Sequence, residues 1–282
     1  MEGTLMLERI TRVAPLGLRF WDAVTNRFVT EGLQVTAIPR IDGTFFGQPA
    51  NGLPNRSGVF IFHHLPGLLG AEQGMGDGPY WTTPPAQRDF IVTVQDAEKR
   101  FLPFKILASA PTRRLLNWSC PSGKPTPGLP LQPVGSIPLF SAAGRQPPGG
   151  LAVIRTMIAT SGGGPAAWAM VEARCQNNLV ARAIADADGR AVLYLPYPKF
   201  VSAAAGSNRP PLTTQSWPID LSVFFSLSPP FPDIPDLCML VDQARARPLK
   251  KLSPSTPLGR LTLKYGEELI VKTQTKSELF LR

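Results

Sequence analysis

Apolar and polar positions alternate along much of this chain with a period of two, the signature of half-buried β-strands. Leu16, Leu18 and Phe20 alternate with Gly17 and Arg19, and after a polar turn (Asp22 to Arg27) and a short Phe28-Val29 strand, Leu33, Val35 and Ala37 alternate again up to Pro39. That succession predicts an antiparallel meander. Thr44 to Ser57 is rich in Gly, Pro and Asn and predicts a loop. Val59 to Phe62 predicts a short, fully apolar strand, and Leu65 to Pro85 a second long loop. Phe90, Val92 and Val94 alternate up to Asp96, and Arg100 to Phe104 opens a closing strand.

From Thr112 to Gly150 eight prolines predict a stiff, extended connector lying along one of the modules, with Leu131, Val134, Ile137, Leu139 and Phe140 as apolar anchors. Strand patterns then resume. Leu151 to Ala159 is followed by Ala169, Val171, Ala173 and Cys175 alternating with Met170, Glu172 and Arg174, by Val180 to Ala185, and by Ala191 to Leu195. After a loop from Lys199 to Ser216, Leu221, Val223, Phe225 and Leu227 alternate with Ser222, Phe224, Ser226 and Ser228. Beyond Pro229-Pro230, Leu237 to Arg245 predicts one or two helical turns. Leu261 to Lys264 and Leu269 to Thr273 predict a small β element, packed on its own domain or added to a neighbour's sheet edge. The fold class expected is all-β: two tandem antiparallel β-sandwiches (1–111 and 151–230), a Pro-rich connector (112–150) and a basic C-terminal extension (231–282).

Composition sharpens this in two ways. With 31 Pro and 25 Gly in 282 residues, the chain must be cut into short elements, which argues against a helical bundle or a doubly wound α/β fold. Only 17% of residues are charged, a low value that fits surfaces covered by partners and equally a large Pro-rich surface. The net charge of +9 is uneven, since 245–282 carries nine Lys/Arg against three Glu. Tyr265 and Phe280 are too few for base stacking there, so nucleic acid is not expected, and anionic lipid and an acidic protein neighbour stay open as partners of the tail.

Three cysteines at wide spacings (Cys120, Cys175, Cys238), with no CxxC, are read as reduced thiols of a cytoplasmic compartment rather than a disulfide framework. The opening MEGTLMLERITRV has no long apolar core, so no signal peptide is expected, and no run approaches the 18 apolar residues of a membrane span.

Candidate chemistry is sparse. His63 and His64 are the two histidines, and neighbours on a regular strand face opposite ways, so they are not expected to share a metal. No Gly-x-Ser-x-Gly elbow accompanies them, Gly162 to Gly164 lacks the Gly-Lys-Ser/Thr of a phosphate loop, and Asp186 and Asp188 read as turn residues. No enzyme activity, cofactor, metal or small-molecule substrate is expected. The candidate interface residues are Tyr80 and Trp81, aromatic anchors on the long loop, and Lys250, Lys251, Lys264 and Lys272 of the tail.

A weak internal repeat links Asp96 to Pro103 with Asp188 to Pro196: an Asp-containing turn, a basic residue, and an apolar strand ended by Pro. Leu18-Arg-Phe-Trp-Asp-Ala-Val-Thr-Asn26, followed by Glu31 to Ala37, resembles the opening hairpin of carboxypeptidase regulatory-like (transthyretin-like) β-sandwiches, and Ala185 to Pro198 resembles the Asp-Gly-Arg hairpin of the same superfamily. Together with Arg100 to Phe104, Pro165 to Ala169 and Tyr194 to Pro198, the set is similar to two-domain proteins that accompany bacterial contractile injection systems, the phage-tail-like particles, over about residues 15–230. The resemblance implies a structural or accessory subunit of the baseplate or sheath–tube assembly, the baseplate being the place expected, made in the cytoplasm and assembled into a large particle, with no catalytic residue carried over. The other function class left open is a stand-alone module for glycan or peptide, with Tyr80, Trp81, Trp168 and Trp217 as its aromatic platform.

Overall fold

A computed structural model of the chain describes residues 13–41, 44–45, 47–72, 86–112, 114–120, 132–160, 162–198, 211–225, 232–243, 261–272 and 279–280. The fold is all-β, as the alternation predicts.

In the first module β4 (Leu33–Ile41) and β10 (Phe104–Ala110) flank β9 (Arg88–Asp96), and β5 (Thr44–Phe45) and β6 (Ala50–Asn51) pair with the outer edge of β4. The register puts Val35, Val94 and Phe104 in one row and Ala37, Val92 and Ile106 in the next, all buried on one face. Opposite them lie two three-stranded sheets. One orders β1 (Leu16–Leu18), β8 (Phe60–Phe62) and β7 (Leu53–Pro54); the other centres on β2 (Phe20–Asp22) with β3 (Arg27–Phe28). Phe20 meets Phe60 and Phe104 edge-on, at centroid distances of 5.5 and 6.5 Å. Fully burying each such side chain contributes about 1.5–3 kcal/mol. The Gly/Pro/Asn-rich stretch expected as a loop thus contains three two-residue strands, and the long loop after Leu65 opens with a single helical turn, α1 (Leu69–Glu72).

The connector becomes part of this module. Its residues Ile137–Leu139 form β11, parallel to β2, and backbone bonds from Thr112 to Pro15, Leu116 to Gly17 and Leu102 to Phe140 add further ties from its described residues. Ile137, Leu139 and Phe140 are buried, as anchors should be. Val134 is 93% exposed and anchors nothing, and Leu131 lies outside the described residues.

The second module stacks two sheets. One orders β15 (Arg190–Pro196), β12 (Leu151–Ala159) and β18 (Leu269–Val271), with β19 (Leu279–Phe280) also pairing β12. The other orders β14 (Asn178–Ile184), β13 (Met170–Cys175), β16 (Ser216–Phe224) and β17 (Leu261–Lys264). The tail strands therefore complete both sheets of their own module. Ile154, Val171, Ala173, Leu193, Ile219 and Leu263 fill the space between the sheets. Almost every residue of β13 is buried, on both faces. Alternation predicted one wet face, but Met170 belongs, with Trp168, Ile184 and Phe224, to the core of the first module, so the outer face of this sheet is covered too.

The helical expectation for the tail is met by α2 (Leu237–Asp242), capped by Asp236, whose carboxylate accepts the Cys238 N–H at 2.7 Å. The expectation of free thiols is overturned. Cys120 and Cys238, 118 residues apart, form a disulfide across a Cα separation of 5.4 Å, within the usual bonding range. Number and spacing in sequence carry no information about which cysteines tertiary packing brings together. Cys175 alone is a free, buried thiol.

The internal repeat holds as a shared Asp–Arg clasp but not as a pair of hairpins, since β9 and β10 pair with each other while β14 and β15 belong to different sheets, and its alignment shifts. At the β9–β10 tip Asp96 accepts the Arg100 N–H at 2.7 Å and its Nε–H at 3.0 Å, with Lys99 left-handed at φ 55°. At the β14–β15 tip the equivalent acid is Asp186, not Asp188. It accepts the Arg190 N–H at 2.9 Å and its Nε–H at 3.0 Å, with Gly189 at φ 76°. The clasp needs a spacing of four, which Asp188 does not have. Burial pushes the Asp96 carboxyl up, but the Arg100 side chain and the backbone N–H groups outweigh it and hold the pKa below the ordinary carboxylate range. A depressed folded-state pKa adds stability above the unfolded value near 4 and loses it as pH falls through the folded value. Asp96→Ala is accordingly expected to cost about 2 kcal/mol at pH 7. Urea titrations at pH 7 and pH 3 check this, because the deficit shrinks at the lower pH.

Candidate functional site

The most organised group of polar side chains lies where the modules meet. The β2–β3 turn holds Asp22 at the end of β2, where its carboxylate accepts the Val24 N–H at 3.0 Å and the Thr25 hydroxyl at 2.6 Å. Arg145, from the end of the connector, places both terminal nitrogens on it. Nη1 donates to Oδ1 at 3.0 Å and Nη2 to Oδ2 at 2.6 Å, while Nη1 also donates to Ser141 Oγ at 2.8 Å. Both partners are buried, Asp22 at 1% exposure and Arg145 at 8%. The guanidinium lies 4.8 Å from the Phe101 ring and 5.8 Å from the Tyr194 ring of the second module. Tyr194 donates its hydroxyl to Arg145 O at 2.5 Å, and Arg155 of β12 donates to Ala143 O at 2.5 Å while pairing with Glu268 at 2.8 Å. Val24 packs against Val153, Val192 and Tyr194.

Electrostatics follow from this packing. Burial pushes the Asp22 carboxyl up, but the bonds from Arg145 and Thr25, together with the Arg145 charge, reverse the effect and hold its pKa below the usual range. Burial also pushes the Tyr194 hydroxyl up. Both oxygens of Asp22 are committed to Arg145, so the group holds a fixed geometry and offers no base to a substrate.

Two cavities flank this joint. One, of about 600 Å³, is lined by Arg27, Phe28, Glu31, Arg100 and Phe101 as well as by Asp22 and Arg145. The other, of about 270 Å³, is mostly apolar and lies between the connector (Leu139, Phe140) and the strand edges of the second module (Val180, Val192, Tyr194). Arg182, also on its wall, is bound to the buried Glu172 through Nε at 3.0 Å and Nη2 at 2.5 Å. Sequence reasoning missed the joint, because Asp22, Arg145 and Tyr194 lie in three separate segments. The available signal was Asp22 within the turn, which was read only as turn chemistry.

The histidine pair is arranged otherwise than expected. β8 ends at Phe62, so the strand argument does not reach His63 and His64. His64 has a left-handed φ of 58°, and both rings line one cavity of about 430 Å³ with Gln48, Asn51 and Leu53. His63 Nδ1 lies 3.6 Å from Glu72 Oε2, and the His64 N–H donates to the same carboxylate. Among the described residues no group of three His, Cys, Asp or Glu is placed to hold a metal ion.

Of the candidate interface residues, Tyr80, Trp81, Lys250 and Lys251 lie outside the described residues. Lys264 on β17 and Lys272 just after β18 are exposed, and Lys264 pairs with Glu267 at 3.5 Å. Ile270 of β18, itself 58% exposed, lies two residues from Lys272, whereas Lys264 belongs to the other sheet of the second module. Trp168 and Trp217, named for an aromatic platform, are 4% and 6% exposed and serve the cores. Among the described residues no helix is long and apolar enough to cross a membrane. Comparison with family models, curated proteins and solved structures gives no match.

Proposed function

We propose that this chain is a non-catalytic structural subunit of a large protein assembly, of the kind found at the baseplate of phage-tail-like contractile injection systems, and that it acts through protein–protein contacts. The observation that carries the reading is the joint. A buried Asp22–Arg145 pair, the Tyr194 hydroxyl and the Arg155–Ala143 bond fix one sandwich against the other. Fixing two modules at the cost of desolvating an ion pair suits a part that sets distances between neighbours. The resemblance of the two segments supplies the type of assembly, and the exposed Ile270 and Lys272 at β18, with Lys264 exposed on the edge strand β17 of the other sheet, supply contact residues of apolar and basic character.

Pull-down from the host with the tagged full chain is the test. Retention of sheath, tube or baseplate proteins is expected. Exchanging Lys264 and Lys272 together for Glu should weaken it by about tenfold without moving the melting temperature, since rim charges act on association rather than folding. A monodisperse chain that retains none of these proteins sinks the reading.

One observation favours the binding-module alternative. Tyr197 and Tyr265 stack at a centroid distance of 4.7 Å beside Trp217, which lies 5.5 Å from Tyr197. All three are at least half-buried. Glycan-array binding abolished by Tyr197→Ala or Trp81→Ala would move the assignment to that class.

A further inference from the structure

The helix α2 is too short to persist by itself. Six residues lie well below the length at which an isolated helix becomes even marginal in water. Its place is set by its surroundings. Leu237, Leu240 and Val241 are buried in the cluster that also holds Met170 and Phe224. On one side the Lys105 N–H at the edge of β10 donates to Pro235 O at 2.8 Å. On the other, Gln243 Nε2 donates at 2.5 Å to Trp168 O in the second module. The segment 235–243 is therefore a strap that touches both modules.

Its seat is imperfect. Gln243 is 3% exposed, and its Oε1 is buried without a hydrogen-bond partner among the described residues. Such a group gives up its hydration for nothing. Burial also pushes the Asp236 carboxyl up against the N–H bonds it accepts from Cys238 and Met239. Closing the strap thus desolvates two polar groups that packing satisfies only in part. What ties it down covalently is the bond from Cys238, the second residue of α2, to Cys120 in the connector.

We propose that the Cys120–Cys238 bond is a redox latch: closed, it keeps α2 seated across the two modules; opened by a dithiol reductant, it lets the strap lift from its apolar seat. Cys120 is 3% exposed whereas Cys238 is half-buried, so the incoming thiolate reaches the Cys238 sulfur first. Attack there forms a mixed disulfide and expels Cys120 as a thiolate, which takes up a proton. The second thiol of the reductant then attacks its own sulfur in the mixed disulfide, closes the reductant's disulfide, and releases Cys238 as a thiol. Two electrons and two protons pass from the dithiol to the protein, and the sandwich sheets take no part.

Hydrogen exchange followed by mass spectrometry on the full chain, oxidised and in dithiothreitol, tests the latch, with Cys120→Ser and Cys238→Ser compared without reductant. The amides of 237–242 are expected to exchange about tenfold faster or more after reduction and in either variant, while β9 and β13 keep their protection. In the unreduced, denatured chain an alkylating reagent should modify Cys175 alone. Three modified cysteines would overturn the proposal, as would α2 exchange that changes by less than about twofold. Loss of protection in all strands together would also overturn it, because the bond would then be a general staple. If Cys120→Ser does not fold, reduced wild type and Cys238→Ser decide the matter.

Discussion

Asp22→Ala lowers the free energy of unfolding by about 3–5 kcal/mol, the cost of leaving a buried charge without its partner. Arg145 is 8% exposed, and among the described residues its guanidinium would keep only the bond to Ser141 Oγ, the aromatic neighbours Phe101 and Tyr194 being no substitute for a carboxylate. The turn loses its bonds to Val24 and Thr25 as well. Urea unfolding at pH 7 measures the effect, and a loss below about 1 kcal/mol would show that the pair does not hold the joint. Replacing both partners with apolar residues (Asp22→Leu with Arg145→Met) should recover much of the loss, because the desolvation cost vanishes with the charges. Acid acts on the same pair. The pKa of Asp22 is depressed in the folded chain, so its contribution is complete above the unfolded value near 4 and disappears as pH falls through the folded one. The Asp22→Ala deficit should therefore be smaller at pH 3 than at pH 7.

Gly189→Ala is expected to cost about 2–5 kcal/mol, combining the left-handed backbone penalty of a non-glycine residue with overpacking. Gly189 sits at φ 76°, and a Cβ added there would lie 2.3 Å from Ile158 O, a backbone atom that already accepts the Ala166 N–H at 2.9 Å. The Gly189 carbonyl in turn accepts the Ile158 N–H at 2.8 Å, so the tip cannot retreat without breaking its contact with β12. Lys99, its counterpart at the β9–β10 tip, has the same handedness but is exposed. Lys99→Gly should therefore fall within about 1 kcal/mol of neutral, on the stabilising side. Thermal melts of the two variants give the comparison directly, and equal shifts would mean that the close approach to Ile158 is not what selects glycine.

Those two tips show how far the sequence carries. An Asp-containing turn followed by a basic residue and an apolar strand predicts a hairpin, and one forms between β9 and β10, whereas the β14–β15 turn carries the chain from one sheet of the second module to the other. The choice of Asp186 over Asp188 was not legible, since both are acids near a turn and only the clasp geometry distinguishes them. The rule of opposite facing does not apply to the histidines, for a related reason. The rule that neighbours face opposite ways holds inside a strand, and β8 stops one residue before His63. The aromatic platform of Trp168 and Trp217 was an inference from residue type, whereas burial is a property of the assembled sheets.

The sequence by itself determined the all-β class, most of the longer strands and the buried face of most of them, because period two and proline placement act locally along the chain. It also marked Ile137, Leu139 and Phe140 as anchors of an extended connector. Only the tertiary structure decided that β11 joins the sheet of β2, that both faces of β13 are covered, and that the tail strands complete the second sandwich. The Asp22–Arg145 pair and the Cys120–Cys238 bond belong to the same group. Their partners lie 123 and 118 residues apart, and proximity over such separations arises from packing, which no local pattern encodes.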